Sequence, residues 1–203
     1  MIKKYILILL ILPTILQAQS RYLEDKQDGY AFSLGSQTVS GTNESIGFIS
    51  LSASSKGRSD FGLQIGKSGN FNLFTLFINT YLVKQNERTP LSLGVTAQGN
   101  YIKQSRYYYS RSSTSLTFGS FIESNILSTN SGGIIPYLGF YYTTNDQQSE
   151  GALGVGLTLC AGKETKFALD IGYLATEGQY NSFVAAITVT LKSDRFSNRN
   201  YIE

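Results

Sequence analysis

Three carboxylates, Asp60, Glu123 and Asp170, are the residues of this sequence best suited to acid–base chemistry. Two carboxylates act as general acid and general base only when both reach the same bond. The sequence alone places no two of them within such reach. Histidine is absent from all 203 residues, which removes the Ser-His-Asp and Cys-His arrangements and the commonest general base. We therefore predict no catalytic residue and a non-enzymatic protein.

Cys160 is the only cysteine of the chain. A single thiol without histidine makes no zinc site and closes no disulfide within the chain. The glycine-containing segment SLGVTAQGN, residues 92–100, leads into no predicted helix and lacks the lysine of a phosphate-binding loop. We therefore expect no metal and no cofactor.

The strands that carry these residues are predicted from apolar residues at every second position of the sequence. In GALGVGLTLC, residues 151–160, Leu153, Val155, Leu157 and Leu159 alternate with small or mildly polar residues, and no residue is charged. Such alternation is typical of a β-strand with two different faces. Ten strands are predicted, at 29–36, 45–53, 59–66, 71–83, 91–101, 115–124, 133–143, 151–160, 167–175 and 182–191.

These predicted strands favour a barrel that crosses a membrane. They are mostly 8 to 11 residues long, whereas soluble strands usually have about 5 or 6 residues and membrane-crossing strands about 9 to 11. Short, turn-like connections favour an up-and-down antiparallel meander, and closure into a barrel removes its open edges. The alternation changes phase between Phe48 and Ile49, which indicates a bulge or a wrong boundary. The predicted fold is therefore all-β, a closed transmembrane barrel of about ten strands, with eight as the alternative.

The two faces of the predicted strands differ in composition. One face is aliphatic, and the other is rich in glycine, hydroxyls and amides. Glycine suits the crowded, curved interior of a narrow barrel, so we predict that the aliphatic face contacts lipid. With Lys84 and Lys166 near strand ends, the polar residues of the other face either fill the lumen or line a narrow pore. The predicted lumen network comprises Asp60, Gln64, Gln98, Glu123 and Asp170.

The first 18 residues are predicted to be a cleaved secretory signal peptide. Lys3 and Lys4 precede an apolar run from Tyr5 to Leu16, and Ala18 supplies a small residue for cleavage. Removing two lysines and no acid lowers the formal net charge from +3 to +1, which gives no reason to expect a nucleic-acid partner. Residues 19–203 are predicted to form one barrel domain, with strands over 29–191 and a polar tail at 192–203.

The longest predicted connection, 102–114, contains the segment RYYYSR. With a periplasmic amino terminus, the connection after any odd-numbered strand faces the exterior. Protruding aromatic and cationic side chains bind a glycan or another protein by stacking and cation–π contacts. The alternative is a hairpin extension with tyrosine at the headgroup level. The candidate binding residues are Arg106, Tyr107, Tyr108, Tyr109 and Arg111.

Tyrosines near the predicted strand ends agree with a membrane-spanning barrel. Aromatic residues form girdles where such barrels meet the lipid headgroups. Tyrosine is also common in soluble strands, so these positions support the prediction only together with the two faces. The predicted girdle residues are Tyr30, Tyr101, Tyr141, Tyr142 and Tyr173.

The chain resembles the small outer-membrane β-barrel proteins of Gram-negative bacteria, of the Bacteroidota type. The resemblance is carried by a signal segment ending in LQAQ, by the ten alternating strands, and by segments such as IIPYLGFYYTT and GALGVGLTLC. It implies an outer-membrane location, membrane lipid and the barrel-assembly machinery as partners, and a structural, adhesive or accessory role in the cell envelope. Such barrels usually end in an aromatic residue, whereas the last predicted strand here ends at Leu191.

Two alternative functions stay open at this point. In a soluble periplasmic barrel of the lipocalin type, the apolar face would turn inward and hold an apolar ligand. The segment Arg21, Tyr22 and Leu23 resembles the start of conjugation-associated outer-membrane barrels, which suggests a role in conjugation or secretion.

Overall fold

The computed structural model describes most of the chain after the predicted signal peptide. The described residues are 23, 27–40, 45–69, 71–86, 88–106, 109–127, 132–145, 149–163, 165–177 and 181–193. The predicted signal peptide and the end of the tail lie outside them. Within this described part, no helix is long and apolar enough to span a membrane.

In the described part of the chain, ten strands form the fold, as the alternation predicts, and the alternative of eight strands is wrong. They are β1 (Asp28–Val39), β2 (Ser45–Ser55), β3 (Ser59–Ser68), β4 (Phe71–Val83), β5 (Ser92–Arg106), β6 (Tyr109–Glu123), β7 (Gly132–Thr144), β8 (Ser149–Ala161), β9 (Thr165–Thr176) and β10 (Ser182–Ser193). The last strand runs two residues into the predicted tail, because Lys192 and Ser193 pair with the start of β1.

Each strand pairs antiparallel with its sequence neighbours, and β1 pairs with β10, so the sheet closes into an up-and-down barrel. Closure gives every strand two ladder partners and leaves no open edge. We name the end where β1 begins at Asp28 and β10 ends at Ser193 the terminal end. The opposite end, which holds the connections 40–44, 69–70, 107–108, 145–148 and 177–181, is the loop end.

The aliphatic face points outward on every strand. In β8, Leu153, Val155, Leu157 and Leu159 are 36 to 42% exposed, whereas Thr158 on the other face is fully buried. Since side chains alternate across a strand, the buried set lines the lumen. This arrangement confirms the predicted faces and contradicts the lipocalin alternative, in which the aliphatic face would be inside.

The predicted phase break in the second strand has a different cause from a bulge. Strand β2 pairs with β1 and β3 in continuous register from Gly47 to Ser54. Ile46 and Phe48 are buried inside the barrel, while Ile49 and Leu51 face outward. The break therefore marks large apolar residues on the inner face. The ladder irregularity lies instead between β4 and β5, at Tyr81 and Val83.

The connection predicted at 102–114 is wrong. Strands β5 and β6 continue through it as a hairpin in unbroken register, from Tyr101 opposite Thr114 to Arg106 opposite Tyr109. Ile102 and Gln104 are buried toward the lumen, so the alternation of two faces continues past residue 101. The connection shrinks to residues 107–108, and the longest connections, 84–91 and 124–131, lie at the terminal end.

Candidate functional site

The inner wall of the barrel, which holds the predicted polar network, is built around pairs of an aromatic residue and a glycine. In each of five pairs, the two residues are register partners on neighbouring strands, and a Cβ on the glycine would overlap the aromatic ring. The missing side chain therefore makes the space in which the ring lies. The pairs are Phe48 with Gly35, Phe77 with Gly62, Phe121 with Gly94, Tyr141 with Gly119, and Tyr137 with Gly156.

Each of these rings lies over a glycine of the neighbouring strand, and three of the rings belong to one buried cluster. One buried apolar cluster connects Phe48 on β2 with Tyr137 and Tyr141 on β7, and also contains Leu174 and Val184. Strands β2 and β7 stand on opposite sides of the ten-stranded ring. The cluster therefore contains inner-wall residues from both sides of the ring, in the half nearer the loop end.

Asp170 is the carboxylate in the middle of the lumen, and it is fully buried. Thr158 donates a hydrogen bond of 2.5 Å to one carboxylate oxygen, and Thr188 donates one of 3.3 Å to the other. The Thr188 hydroxyl also shares a hydrogen bond of 2.9 Å with Ser33. A buried carboxylate needs such donors to offset lost hydration. Asp170 thus links β8, β9, β10 and β1 around the closing pair of strands.

Glu123 lies at the terminal end of the lumen and is held by an aromatic residue. The Tyr81 hydroxyl donates a hydrogen bond of 2.6 Å to Glu123 Oε1. The Tyr81 ring meets Phe121 edge to face, with centroids 5.3 Å apart and planes at 87°. This geometry is favourable for aromatic pairs and fixes the tyrosine that binds the carboxylate.

The terminal mouth of the lumen is covered by residues of the two long connections. Lys84 Nζ donates hydrogen bonds to the carbonyl oxygens of Leu23 and, at 2.7 Å, of Gly57. The Gln85 side chain accepts a bond of 2.6 Å from the Asn125 backbone N–H and donates one of 3.2 Å to the Asn125 carbonyl. Leu23 is 2% exposed. These contacts tie the connections after β4 and β6 together at this end.

The other predicted network residues also face the lumen. Asp60 and Gln64 on β3 are fully buried, and Gln98 on β5 is 4% exposed. Between β4, β5 and β6, Thr75 donates to the Asn100 side chain at 2.9 Å. The structure thus places all five predicted residues on the inner wall, spread over strands β3, β5, β6 and β9.

The chemistry open to these groups is structural hydrogen bonding. Glu123 and Asp170 are bound by hydroxyls from different strands, one at the terminal end and one in the middle of β9. Within the residues that the structure describes, no group of three or more His, Cys, Asp or Glu could hold a metal ion. The lumen therefore holds two buried carboxylates bound by hydroxyl groups, and the Tyr81–Phe121 ring pair lies beside one of them, Glu123.

The tip of the β5–β6 hairpin carries the candidate binding residues. Arg106 and Tyr109 are register partners at the tip, Arg111 stands opposite Gln104, and Tyr107 and Tyr108 lie outside the described residues. Strand β6 pairs with β7 only over Leu116–Glu123, so its first seven residues extend past the end of β7. The backbone therefore carries this segment beyond the neighbouring strand.

Four of the five tyrosines predicted to form a girdle face outward, and one faces the lumen. Tyr30, Tyr101, Tyr142 and Tyr173 are 42 to 58% exposed on the outer wall, whereas Tyr141 is 3% exposed inside the lumen. Consecutive residues of a strand point to opposite faces, so Tyr141 and Tyr142 cannot both face outward.

The inner aromatic residues are the part of the site that sequence reasoning missed. The sequence does indicate them, because a residue that lies between two outward-facing residues of a strand must face the lumen. Phe77, for example, lies between Leu76 and Ile78, which both face outward. Aromatic residues and glycines at inner positions would have predicted rings inside the lumen, although not which ring meets which glycine.

The fold and its inner wall define a class: closed up-and-down antiparallel barrels with an apolar outer wall and a filled, largely polar lumen. No protein-family model matches the chain, and no curated protein sequence matches it. Solved structures do match in fold.

Three of these solved structures are bacterial barrel proteins or barrel domains. The β-domain of the Bordetella autotransporter Brka is 11% identical, with a TM-score of 0.50, over 81% of this chain and 98% of that chain. The KdgM porin is 8% identical, with a TM-score of 0.47, over 78% of this chain and 97% of the porin. The translocator domain of autotransporter NalP from Neisseria meningitidis is 8% identical, with a TM-score of 0.45, over 88% of this chain and 92% of that domain. At these identities, the likeness concerns the fold alone.

Proposed function

We propose that this chain is an integral outer-membrane β-barrel, exported with residues 1–18 as a cleaved signal, that serves as a non-enzymatic scaffold in the cell envelope. The observation that carries the proposal is the outer wall. Every strand turns at least two large apolar side chains outward, at 36% exposure or more. A soluble monomer rarely exposes apolar patches beyond a few hundred Å², and a belt around the whole molecule exceeds that.

The energetics favour lipid around this belt. Each Leu, Ile, Val or Phe side chain moved from water into hydrocarbon contributes about 1.5–3 kcal/mol. Closure gives each of the ten strands a hydrogen-bonded neighbour on both sides, and a bilayer requires such pairing of backbone groups. The outward charges Lys67 and Lys103 lie toward the loop end, where a lysine reaches the headgroups. The proposed orientation puts the terminal end in the periplasm.

The filled lumen supports a scaffold rather than an open pore. Inner residues at several levels are inaccessible to water, including Gln37 near the loop end, Asp170 in the middle and Asp60 near the terminal end, all at 0% exposure. A water-filled channel would leave such side chains partly exposed. Barrels of small strand number generally have interiors filled by side chains.

Fractionation of a Gram-negative host that expresses the whole chain tests the membrane proposal. We expect the protein in the outer-membrane fraction, resistant to urea washing, and running faster on SDS gels before boiling than after. Recovery in the aqueous fraction without detergent would contradict the proposal.

Conductance in planar bilayers tests the filled lumen separately. The wild-type barrel is expected to give no stepwise current. The double variant Tyr137→Ala and Tyr141→Ala removes two rings of the buried cluster and should give measurable steps. A conducting wild-type barrel would contradict the scaffold role and leave the membrane location standing.

A second function, glycan binding at the hairpin tip, is favoured by the extension of β5 and β6 past β7. This backbone geometry would present the tip segment RYYYSR to the exterior in the proposed orientation. Tyrosine rings stack on sugar rings and arginine donates to their hydroxyls, which suits a carbohydrate.

Binding of intact cells to a glycan array tests this second function. The triple variant Tyr107→Ser, Tyr108→Ser and Tyr109→Ser is expected to lose binding, while the control Thr38→Ala, at the loop end on β1, retains it. Equal binding by all three proteins would contradict a role for the tip.

A further inference from the structure

An open groove of about 610 Å³ interrupts the outer wall across strands β4 to β7. Its volume is in the range of pockets that hold a single ligand. Its apolar sides come from Phe74 and Leu76 on β4 and Leu116 on β6, with Tyr101 on β5 above. The groove lies in the loop-end half of the apolar belt.

The floor of the groove is Gly99, at the centre of two registered rows. Leu76, Gly99, Leu116 and Thr144 stand side by side on four successive strands. The next row toward the loop end is Phe74, Tyr101 and Thr114. A glycine between two leucines leaves a channel one strand wide, and the Tyr101 ring stands at its loop-end side.

Gly99 differs from the paired glycines of the lumen because no ring occupies its space. A Cβ at this position would meet only Leu116 Cδ2, at 3.8 Å, which is ordinary van der Waals contact. The register therefore does not require glycine here for packing inside the protein. Beside it, β6 leaves the β7 ladder at Leu116, which opens the groove toward Asn145.

Resting on the proposed membrane location, we infer that this groove binds one acyl chain of a lipid from the leaflet at the loop end. A groove continuous with a lipid-facing wall contacts only hydrocarbon, and an empty apolar groove forfeits dispersion contacts that an acyl chain restores. Thr114 and Thr144 at the loop-end rim supply hydroxyls near the level of the lipid headgroup. The chain lies along β5 between the leucines, with its polar end toward Tyr101.

Photolabelling of the full barrel in lipid vesicles tests this site. The probe is a phosphatidylethanolamine with a diazirine in the middle of one saturated acyl chain, and the labelled peptides are mapped by mass spectrometry. In the wild type, we expect labelling concentrated on β4, β5 and β6. Gly99→Leu fills the groove and should reduce that labelling about tenfold, because the chain loses the burial of about two methylenes.

Ala185→Leu is the matched control, since it adds the same side chain to the outer wall on β10, away from the groove. It should leave the labelling of β4 to β6 unchanged. Labelling spread evenly around the ring, or unchanged in Gly99→Leu, would overturn the inferred site while membrane insertion still supports the proposed function. Failure of the wild type to insert into vesicles would overturn both.

Discussion

The outer and inner walls of this barrel are built from the same strands and constrain their side chains in opposite ways. On the outer wall, Leu153 and Val155 project from the protein, so their size is not limited by neighbours across the lumen. On the inner wall, Gly154 and Gly156 alternate with them, and Gly156 has the Tyr137 ring over its backbone. In the proposed membrane location, the outer wall would tolerate changes in side-chain size, whereas charge in its middle would be costly.

The inner wall has the reverse tolerance. It buries carboxylates, amides and hydroxyls, among them Asp60, Gln64 and Asp170. At Asp170, hydrogen bonds from Thr158 and Thr188 offset the lost hydration. It does not accept added volume, because rings fill the space over the glycines. The contrast predicts that charge disrupts the outer wall most, and that added methyl groups disrupt the inner wall.

The largest effect is expected from a charge in the middle of the outer wall. Val155→Arg, at the centre of β8, places a cation in hydrocarbon and should cost about 2–4 kcal/mol of folding free energy. The measurement is the urea dependence of folding into lipid vesicles. Leu191→Arg, close to the terminal end of β10, is the control and should cost about 0–1 kcal/mol. Equal costs at the two depths would contradict lipid around the belt.

The second effect compares an inner with an outer glycine. Gly119→Ala puts a Cβ into the Tyr141 ring and close to the Phe140 carbonyl, and should cost about 1–3 kcal/mol. Gly99→Ala makes only an ordinary van der Waals contact with Leu116 on the outer wall and should stabilise the barrel by about 0.4–1 kcal/mol, because alanine restricts the unfolded chain. The same vesicle titration measures both. A similar loss in both variants would mean that glycine is needed for the strand itself rather than for the ring.

Most of the fold was predictable because the outer wall consists mainly of large apolar residues. Ten separate runs of alternating Leu, Ile, Val, Phe and Tyr located the strands, and their polar partners identified the lumen face. The extension of β5 and β6 was missed because KQSR and SRSST are polar on both faces. Cross-strand pairing, from Lys103 opposite Ser112 to the tip, makes that segment a hairpin despite its composition.

The inner aromatic residues were harder to predict because they break the rule that apolar means outward. Phe48 and Phe77 are as apolar as the outward-facing residues, and only their odd or even position along the strand separates the two sets. Which ring meets which glycine depends on the register between strands, and a single sequence leaves that register open. The pairing of Tyr141 with Gly119 thus required the three-dimensional structure.

The third effect concerns polarity on the inner wall. Asp170→Ala leaves the hydroxyls of Thr158 and Thr188 without their acceptor, and should cost about 1–3 kcal/mol. Asp170→Asn retains an acceptor oxygen and should cost less, which separates lost hydrogen bonding from lost charge. Folding titrations of the two variants make the comparison. A larger loss of folding free energy in Asp170→Asn than in Asp170→Ala would contradict the hydrogen-bonding role given to this carboxylate.

The smallest effect tests whether the inner wall needs polarity or only matched partners. Thr117 and Thr143 share a buried hydrogen bond of 2.8 Å between β6 and β7. Thr143→Val keeps the volume but leaves the Thr117 hydroxyl without that partner, and should cost about 1 kcal/mol. Replacing both threonines by valine removes donor and acceptor together, so the double variant should be nearly as stable as the wild type. Additive losses in this double-mutant cycle would show instead that each hydroxyl has further partners, and that the inner wall is selected for polarity as well as volume.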